Sequence, residues 1–523
     1  MSFKQLVLAI LTAITAVVVG LALLGSWQQP QIQSRLDLAQ TNLALQAAEW
    51  TPPEEWEMEE LPGGLIGEDV YKTAIEQYRE SLETVRESLS ETETKLQLSQ
   101  LEDLSPSNLS RVQQLQSAID KQQALRDRLE VRLGILLASR DRVSDALELW
   151  SNPIDRHATS SPDVPSESLS DNATTAFVLA GLWRQPPQVV PNAEAQLQTQ
   201  LSGWFRYRAL EQFYQVQNQP NDLAILNQTE QQAARRTLVK LVVLTAISGV
   251  GLLLGTGLLL FLVGQRIVKG DESLLAKNKD VCWTVEWEWD TIAQVVVIGF
   301  FIVFFVSQVF AGSILFPLVY GLFGIDPSNL GSRWQAVSIL GGYFLSAIAA
   351  LSVLYLSLKP YFPLKPDWFR FSVPKGIGWG FAGYLAAVPL VLGVSLVNQE
   401  IWDGKGGSNP ILEIALKSGD WIAIACFFIT ASIFAPVFEE FIFRGFLLPS
   451  LTKYVPVWGA IVISSLVFAL AHLSVSEVLP LATLGIVLGV IYARSRNLLA
   501  AMLMHGLWNS GTLLSLVILG SGS

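Results

Sequence analysis

The sequence is poor in the residue types that soluble domains expose and that secreted domains use as cross-links. Only 15% of its 523 residues are charged, it has three histidines and two cysteines, and half of it is hydrophobic. A soluble domain of this composition would expose apolar patches that aggregate, so lipid must cover much of the surface. The two cysteines, Cys282 and Cys426, exclude a disulfide framework and a cysteine zinc site.

Basic residues are also fewer than acidic ones, which gives a formal net charge of -11. A nucleic-acid partner requires a basic face that neutralises phosphates, so this balance argues against one. Most of the acidic residues follow the first apolar block, where they predict a solvated surface.

The hydrophobic residues gather into blocks of about 20, the length needed to cross roughly 30 Å of hydrocarbon. Residues 1–27 are interpreted as an N-terminal anchor, because no small-x-small cleavage site of a signal peptide is evident. The next predicted span is a single helix within 237–265. The nine predicted spans are 6–27, 239–264, 291–323, 335–358, 377–397, 420–448, 457–472, 477–493 and 498–519.

Residues 28–236 are polar and predict a soluble helical domain. Apolar residues spaced alternately by four and three predict a coiled-coil seam, and a second helical run predicts the other arm of an antiparallel hairpin. Segments 132–150 and 203–215 faintly resemble helices of tetratricopeptide-type repeats, without a clean period. The domain is either a protein-docking module or a spacer. The two sets of apolar residues are Tyr71, Ile75, Tyr78, Leu82, Val85, Leu89 and Leu96, and Leu115, Ile119, Leu125, Leu129, Leu133 and Leu136.

Basic residues concentrate in four of the loops between spans. With nine spans and a cytoplasmic N-terminus, all four loops fall on the cytoplasmic side and the helical domain on the other side. The tract from Trp283 to Trp289 alternates tryptophan with polar residues and is interpreted as an aromatic belt at the interface. The four sets are Arg266, Lys269, Lys277 and Lys279; Lys359, Lys365, Arg370 and Lys375; Arg444 and Lys453; and Arg494 and Arg496.

Two adjacent carboxylates, Glu439 and Glu440, lie between apolar stretches of one predicted span. Ionisable groups there are expensive, about 2.5–3.5 kcal/mol for Asp, Lys or Arg at a helix centre. Glu440 and Arg444 are four residues apart and able to form an ion pair, whereas Glu439 points about 100° away. The pair would hold the helix and leave Glu439 free for chemistry. The alternative is a capping or snorkelling cluster at a helix end.

Two further groups lie in the following spans. Phe468 and His472 share a helix face, as do His505 and Asn509, because each pair is four residues apart. Taken singly, a histidine in an apolar helix is more often structural, and the amide could make an interhelical hydrogen bond worth about 1 kcal/mol.

Together, a carboxylate, two imidazoles and an amide on three predicted helices are the parts needed for hydrolysis. Glu439 would take a proton from water as general base, and His472 would orient that water or return the proton to the leaving nitrogen. His505 and Asn509 would donate hydrogen bonds to the developing oxyanion.

The order EExxxR, FxxxH, HxxxN resembles the signature of the CAAX-protease and bacteriocin-processing (Abi) family. The resemblance is strongest over about 420–515, extends to 291, and leaves 28–236 uncovered. It implies an all-helical intramembrane endopeptidase over 291–520 that cleaves membrane-bound, lipidated or hydrophobic peptides, prenyl processing being one of the family's activities. The matching positions are Glu439, Glu440 and Arg444; Phe468 and His472; and His505 and Asn509.

A divalent metal such as zinc is one of two possibilities for activating the water. Glu439, His472 and His505 could furnish three ligands and leave a position open for water. A glutamate-activated water needs no metal, and no HExxH motif decides between the two.

The fold prediction is an all-α, multi-pass transmembrane bundle with an N-terminal helical domain. The expected partners are the lipid bilayer, a membrane-associated substrate and a protein bound by the helical domain. The alternative function is a non-catalytic membrane chaperone or adaptor on the same scaffold. A proton-coupled transporter would show inverted repeats, which we do not detect, and the GxSG and GxGD motifs of other intramembrane proteases are absent from the spans.

Overall fold

The structure, a computed structural model, describes residues 2–27, 33–52, 69–101, 106–157, 170–324, 331–402, 406–407 and 420–520. Over these ranges the chain forms helices and no strand, which confirms the all-α prediction. In chain order the helices are α1 Phe3–Ser26, α2 Gln33–Ala48, α3 Val70–Gln100, α4 Pro106–Ala138, α5 Val143–His157, α6 Asp171–Trp183, α7 Ala193–Gln200, α8 Gly203–Val216, α9 Pro220–Lys269, α10 Trp289–Leu322, α11 Ser332–Leu358, α12 Val373–Trp402, α13 Trp421–Leu451, α14 Val457–Leu470, α15 Val478–Ser495 and α16 Leu498–Gly520.

The chain divides into two compact units, one of residues 34–245 and one of residues 1–33 with 246–521. The boundary falls inside α9, which runs without interruption from Pro220 to Lys269. The sequence pattern predicts that the helical domain ends at residue 236 and that a separate span lies within 237–265. In the structure, the end of that domain and the span are parts of the same helix. No proline follows Pro220 within α9, so nothing in the sequence forces a break.

In the unit of residues 34–245, α3 and α4 pack as an antiparallel hairpin, as the apolar pattern predicts. Gln122 donates to Ser88 over 2.8 Å, and nearer the tip Asn108 donates to the carbonyl of Ser99 over 2.9 Å. From α3, Tyr78 and Leu82 are buried in the core of this unit. Pro106 begins α4, a position where its missing N–H costs no helical hydrogen bond.

In the membrane unit, eight helices are long and apolar enough to cross a bilayer among the residues described. The remaining predicted span, 457–472, is α14, which has 14 residues and is therefore only about 21 Å long. The prediction of nine spans is corrected to eight long helices plus this short one.

The four predicted basic loops meet at one end of this bundle, although Arg444 is buried within α13 and only Lys453 of its set lies in the loop. Asn278 donates to the carbonyl of Arg494 over 3.1 Å, and the backbone N–H of Leu498 donates to the carbonyl of Arg370 over 2.9 Å. The N–H of Trp283 donates to Thr452 over 3.2 Å, which adds the loop after α13. We call this end the basic end.

The turn after α14 lies at the opposite end. There the N–H of Val475 donates to Ser26 over 3.1 Å, and Asn398 donates to the carbonyl of Ser476 over 2.8 Å. Although α14 is short, it therefore runs from the basic end towards the opposite end. Each of the nine helices of the membrane unit thus runs in the opposite direction to the one before it.

The prediction of an aromatic belt is wrong for Trp283 and Trp287. They are 4% and 1% exposed and pack inside the basic end, where Trp283 stacks on Tyr492 with ring centroids 5.5 Å apart. Trp287 lies 4.5 Å from the Trp368 ring. The tract is extended, not helical, so its alternate side chains point the same way and turn into the protein.

Helices α10 and α13 contain wide, π-type turns, over Gln294–Phe304 and Ala311–Leu315 in α10 and Thr430–Phe434 and Phe441–Leu447 in α13. Proline has no N–H, so it cannot close the hydrogen bond to a carbonyl four or five residues earlier. Three of the four wide turns are followed, two residues later, by a proline: Pro317, Pro436 and Pro449.

Close contact between α9 and α12 depends on Gly255. A Cβ there would lie 2.1 Å from the carbonyl oxygen of Leu385, whereas a Cβ at Gly257 would meet nothing within 4 Å. Pro389 cannot donate to that carbonyl, so the oxygen is free to face the glycine.

We expect Gly255→Ala to lower the stability of the membrane unit by about 1–3 kcal/mol, because the backbone of α12 must move away. Gly257→Ala is the matched control and should cost nothing, since alanine favours helix. Thermal unfolding of the detergent-solubilised protein, followed by tryptophan fluorescence, measures both variants. Equal effects of the two substitutions would contradict the assigned contact.

Candidate active site

An ion pair buried in the bundle connects three helices. Arg444 Nη1 lies 3.0 Å from Glu440 Oε1, and both side chains are fully buried. The guanidinium also donates to the carbonyl of Gly485 on α15 over 3.1 Å and lies 4.5 Å from the centroid of the Phe468 ring on α14. The pair therefore holds α13 against both helices.

His505 on α16 lies between the two adjacent carboxylates. Its Nδ1 is 2.9 Å from Glu440 Oε1, and its Nε2 is 3.9 Å from Glu439 Oε2. Because the paired carboxylate of Glu440 accepts, Nδ1 carries the hydrogen, and this fixes the orientation of the ring. Nε2 then faces Glu439.

Glu439 has one bonded and one unbonded carboxylate oxygen. Tyr343 on α11 donates to Oε1 over 3.1 Å. Oε2 is buried and has no hydrogen-bond partner among the described residues. Oε2 of Glu440 is also buried without a hydrogen-bond partner, so the two glutamates differ in their charge partners. Glu440 is neutralised by Arg444, whereas among the described residues Glu439 has no cation within ion-pair distance apart from a protonated His505.

His472 follows α14 directly, and its Nδ1 lies 2.9 Å from the carbonyl of Phe468. The Phe468 ring packs edge-on against His472 with centroids 5.0 Å apart and against His505 with centroids 5.6 Å apart. A single aromatic ring therefore contacts both imidazoles. With Nδ1 donating to a carbonyl, His472 Nε2 is the nitrogen left for chemistry.

Asn509 donates to the carbonyl of Ala431 over 2.7 Å. That carbonyl lies in the wide turn before Pro436, whose missing N–H leaves it without its i+5 partner. Gly506, on the same helix, comes so close to Ser432 that a Cβ would lie 2.7 Å from its carbonyl oxygen. One amide hydrogen of Asn509 is thus used to join α16 to α13, and the second is left for a substrate.

The motif residues come from α13, the end of α14 and α16, and two shared neighbours connect them: Phe468 contacts both histidines, and His505 reaches both glutamates. Asn509 lies on α16, one turn from His505, and contacts the backbone of α13. Sequence reasoning missed Tyr343. Its only signal was a hydroxyl-bearing ring in an apolar span after Gly341 and Gly342.

Glu439, His472 and His505 are the residues that would hold a zinc ion if one activates the water. Among the described residues, no three histidine, cysteine, aspartate or glutamate side chains are grouped so as to hold a metal ion. His472 and His505 each use Nδ1 in a hydrogen bond to the protein, which leaves Nε2 as the free nitrogen of each ring.

Comparison with known proteins adds independent support for the motif resemblance. Residues 421–511 match the family described as type II CAAX prenyl endopeptidase Rce1-like. The membrane-embedded CAAX protease MroQ of Staphylococcus aureus is 28% identical over 173 residues, which are 32% of this chain and 68% of MroQ. The putative membrane peptidase YdiL of Bacillus subtilis is 24% identical over 220 residues, 40% of this chain and 85% of YdiL. No solved structure shows significant similarity.

The matched segment contains all three motifs, and the resemblance read from the sequence is confirmed. The two similar proteins are, by name, a membrane protease and a putative membrane peptidase. Over residues 421–511, this multi-pass membrane protein is therefore similar to the Rce1-like CAAX prenyl endopeptidase family.

Proposed function

We propose that the protein is an intramembrane endopeptidase of CAAX-protease type that hydrolyses peptide bonds in membrane-associated substrates. One observation carries the proposal: the Glu439 carboxylate is held at Oε1 by Tyr343, while Oε2 stays unbonded beside His505. A general base needs an oxygen that is fixed in place and not already hydrogen-bonded.

In the proposed reaction, Glu439 takes a proton from a water molecule as the water attacks the scissile carbonyl carbon. His472, protonated at Nε2, gives that proton to the leaving nitrogen as the carbon–nitrogen bond breaks, and the proton that Glu439 took from water then restores His472. The developing oxyanion accepts hydrogen bonds from the second amide hydrogen of Asn509 and from a protonated Nε2 of His505. Glu440 stabilises that imidazolium through Nδ1.

The site lies on spans, so its substrates must approach through the bilayer or from the membrane surface. The matching family and one similar protein carry CAAX protease in their names. We therefore propose lipidated or hydrophobic peptide segments as the substrate class. Zinc activation of the water is the alternative to metal-free activation, and the metal content of the purified protein decides between them.

The second candidate function is a non-catalytic membrane chaperone or adaptor, whose helical domain recruits a protein partner. It is favoured by the size of the unit of residues 34–245, which contains none of the motif residues. The two functions are compatible, and substitution of Glu439 separates them.

We expect Glu439→Gln to abolish cleavage, because it keeps the shape of the side chain and removes the base. Comparing the peptide termini of membrane proteins in cells with wild-type and variant protein should show termini lost and intact precursors accumulating. Glu400→Gln makes the same change at an exposed position of α12 and should match the wild type. If Glu439→Gln and wild type give identical profiles and only deletion of the whole gene has a phenotype, catalysis is excluded. The chaperone or adaptor function then takes its place.

We expect Arg444→Met to destabilise the membrane unit by about 3–5 kcal/mol, because it leaves Glu440 buried without a cation. Adding Glu440→Gln should restore part of the loss. The control, Lys453→Met, breaks the partly exposed 2.9 Å pair with Glu288 and should lower the unfolding temperature far less, because water screens an exposed ion pair. Thermal unfolding measures all of these variants. A double variant as unstable as Arg444→Met would show that the guanidinium acts through packing alone.

We also propose that the helical domain lies on the non-cytoplasmic side. The four basic loops meet at one end of the bundle, and positively charged loops mark the cytoplasmic side. The polar segment starts after α1, whose Ser26 lies at the opposite end.

The exposed Cys282 at the basic end is a native probe of this topology, since Cys426 is buried. The cells are treated so that reagents pass the outermost layer while the membrane that contains the protein stays sealed. A membrane-impermeant maleimide should then label Ser144→Cys in α5 and leave Cys282 unlabelled. After lysis both sites should react. Labelling of Cys282 in intact cells would reverse the proposed orientation.

A further inference from the structure

We propose that Tyr343 is a positioning residue for the reaction: it holds the Glu439 carboxylate so that Oε2, not Oε1, meets the water. The inference rests on the proposed function and adds a residue from α11, outside the three motifs. Its hydroxyl donates to Glu439 Oε1 over 3.1 Å. This is the one hydrogen bond of Glu439 among the described residues, because His505 Nε2 is 3.9 Å away.

The Tyr343 ring is held on two sides by aromatic side chains. It packs edge-on against Phe304 of α10, with centroids 5.2 Å apart, and against Phe438 of α13, with centroids 6.1 Å apart. Phe304 and Phe438 stack on each other at 4.8 Å. The hydroxyl is therefore fixed relative to the residue that directly precedes Glu439.

Glu439 needs such a partner more than its neighbour does. Glu440 is fixed by Arg444 and by His505, whereas Glu439 would turn about its side-chain bonds if Tyr343 did not bind it. A displacement of about 1 Å can cost about 100-fold in rate, because proton transfer requires hydrogen-bond reach between base and water.

A purely structural role for Tyr343 makes a different prediction, and Tyr320 provides the matched control. Its hydroxyl lies 2.6 Å from Ser338 Oγ, so it also joins α10 to α11. Tyrosine-to-phenylalanine substitution at either position removes one buried hydroxyl between helices, but only Tyr343 touches Glu439.

The assay uses a quenched fluorescent peptide that spans a Glu439-dependent cleavage site, with the full-length protein in detergent or liposomes. We expect Tyr343→Phe to lower kcat about 10- to 100-fold, the effect of losing a hydrogen bond to a charged group, and to leave KM and the unfolding temperature near wild type. Tyr320→Phe should leave kcat unchanged. If Tyr343→Phe leaves kcat unchanged, or alters KM and stability as much as kcat, the proposal is wrong.

A double-substitution cycle tests whether Tyr343 acts through Glu439. Glu439→Asp withdraws the carboxylate by about one methylene, roughly 1.5 Å, beyond reach of the hydroxyl. Tyr343→Phe should then lower kcat less than twofold further in the Glu439→Asp background. A full, additive loss would assign Tyr343 to another role. Full activity of Glu439→Gln would instead overturn the proposed function itself, so the two failures are distinguishable.

Discussion

The buried ion pair between Glu440 and Arg444 is the interaction on which the rest of the site depends. A charge without a partner inside the bundle costs several kcal/mol, so neither residue can be lost alone without loss of the packing around it. Its guanidinium reaches α14 through Phe468 and α15 through Gly485, and its carboxylate fixes His505 of α16. The ion pair thereby fixes the positions of Phe468 and His505, which are not part of the pair itself.

The pair also explains why two adjacent glutamates can have different roles. One residue along a helix is about 100° around its axis, so Glu439 faces α11 while Glu440 faces the cation. Arg444 pairs with Glu440 alone, so Glu439 is the carboxylate proposed to act as the base.

The sequence predicts the helix-local part of this arrangement well, because spacings of three and four residues report which side chains share a face. It gives the ion pair and the contact of Phe468 with His472. Tyr343, and the carbonyls of Ala431 and Gly485, were not foreseen, since each meets its partner across helices distant in sequence. The burial of Trp283 was missed for the same reason: interfacial and interior tryptophans have the same local pattern.

In the described part of the membrane unit, carbonyls beside two prolines are covered by a neighbouring helix. Pro389 leaves the Leu385 carbonyl without its i+4 partner, and Gly255 of α9 packs against it. Near Pro436, the Ser432 carbonyl faces Gly506 of α16. Lipid offers no hydrogen bond to a freed carbonyl, so a neighbouring helix must cover it closely. At Pro436 the wide turn also frees the Ala431 carbonyl for Asn509. The irregularity of α13 therefore joins the helix of the proposed general base to that of the proposed oxyanion donors.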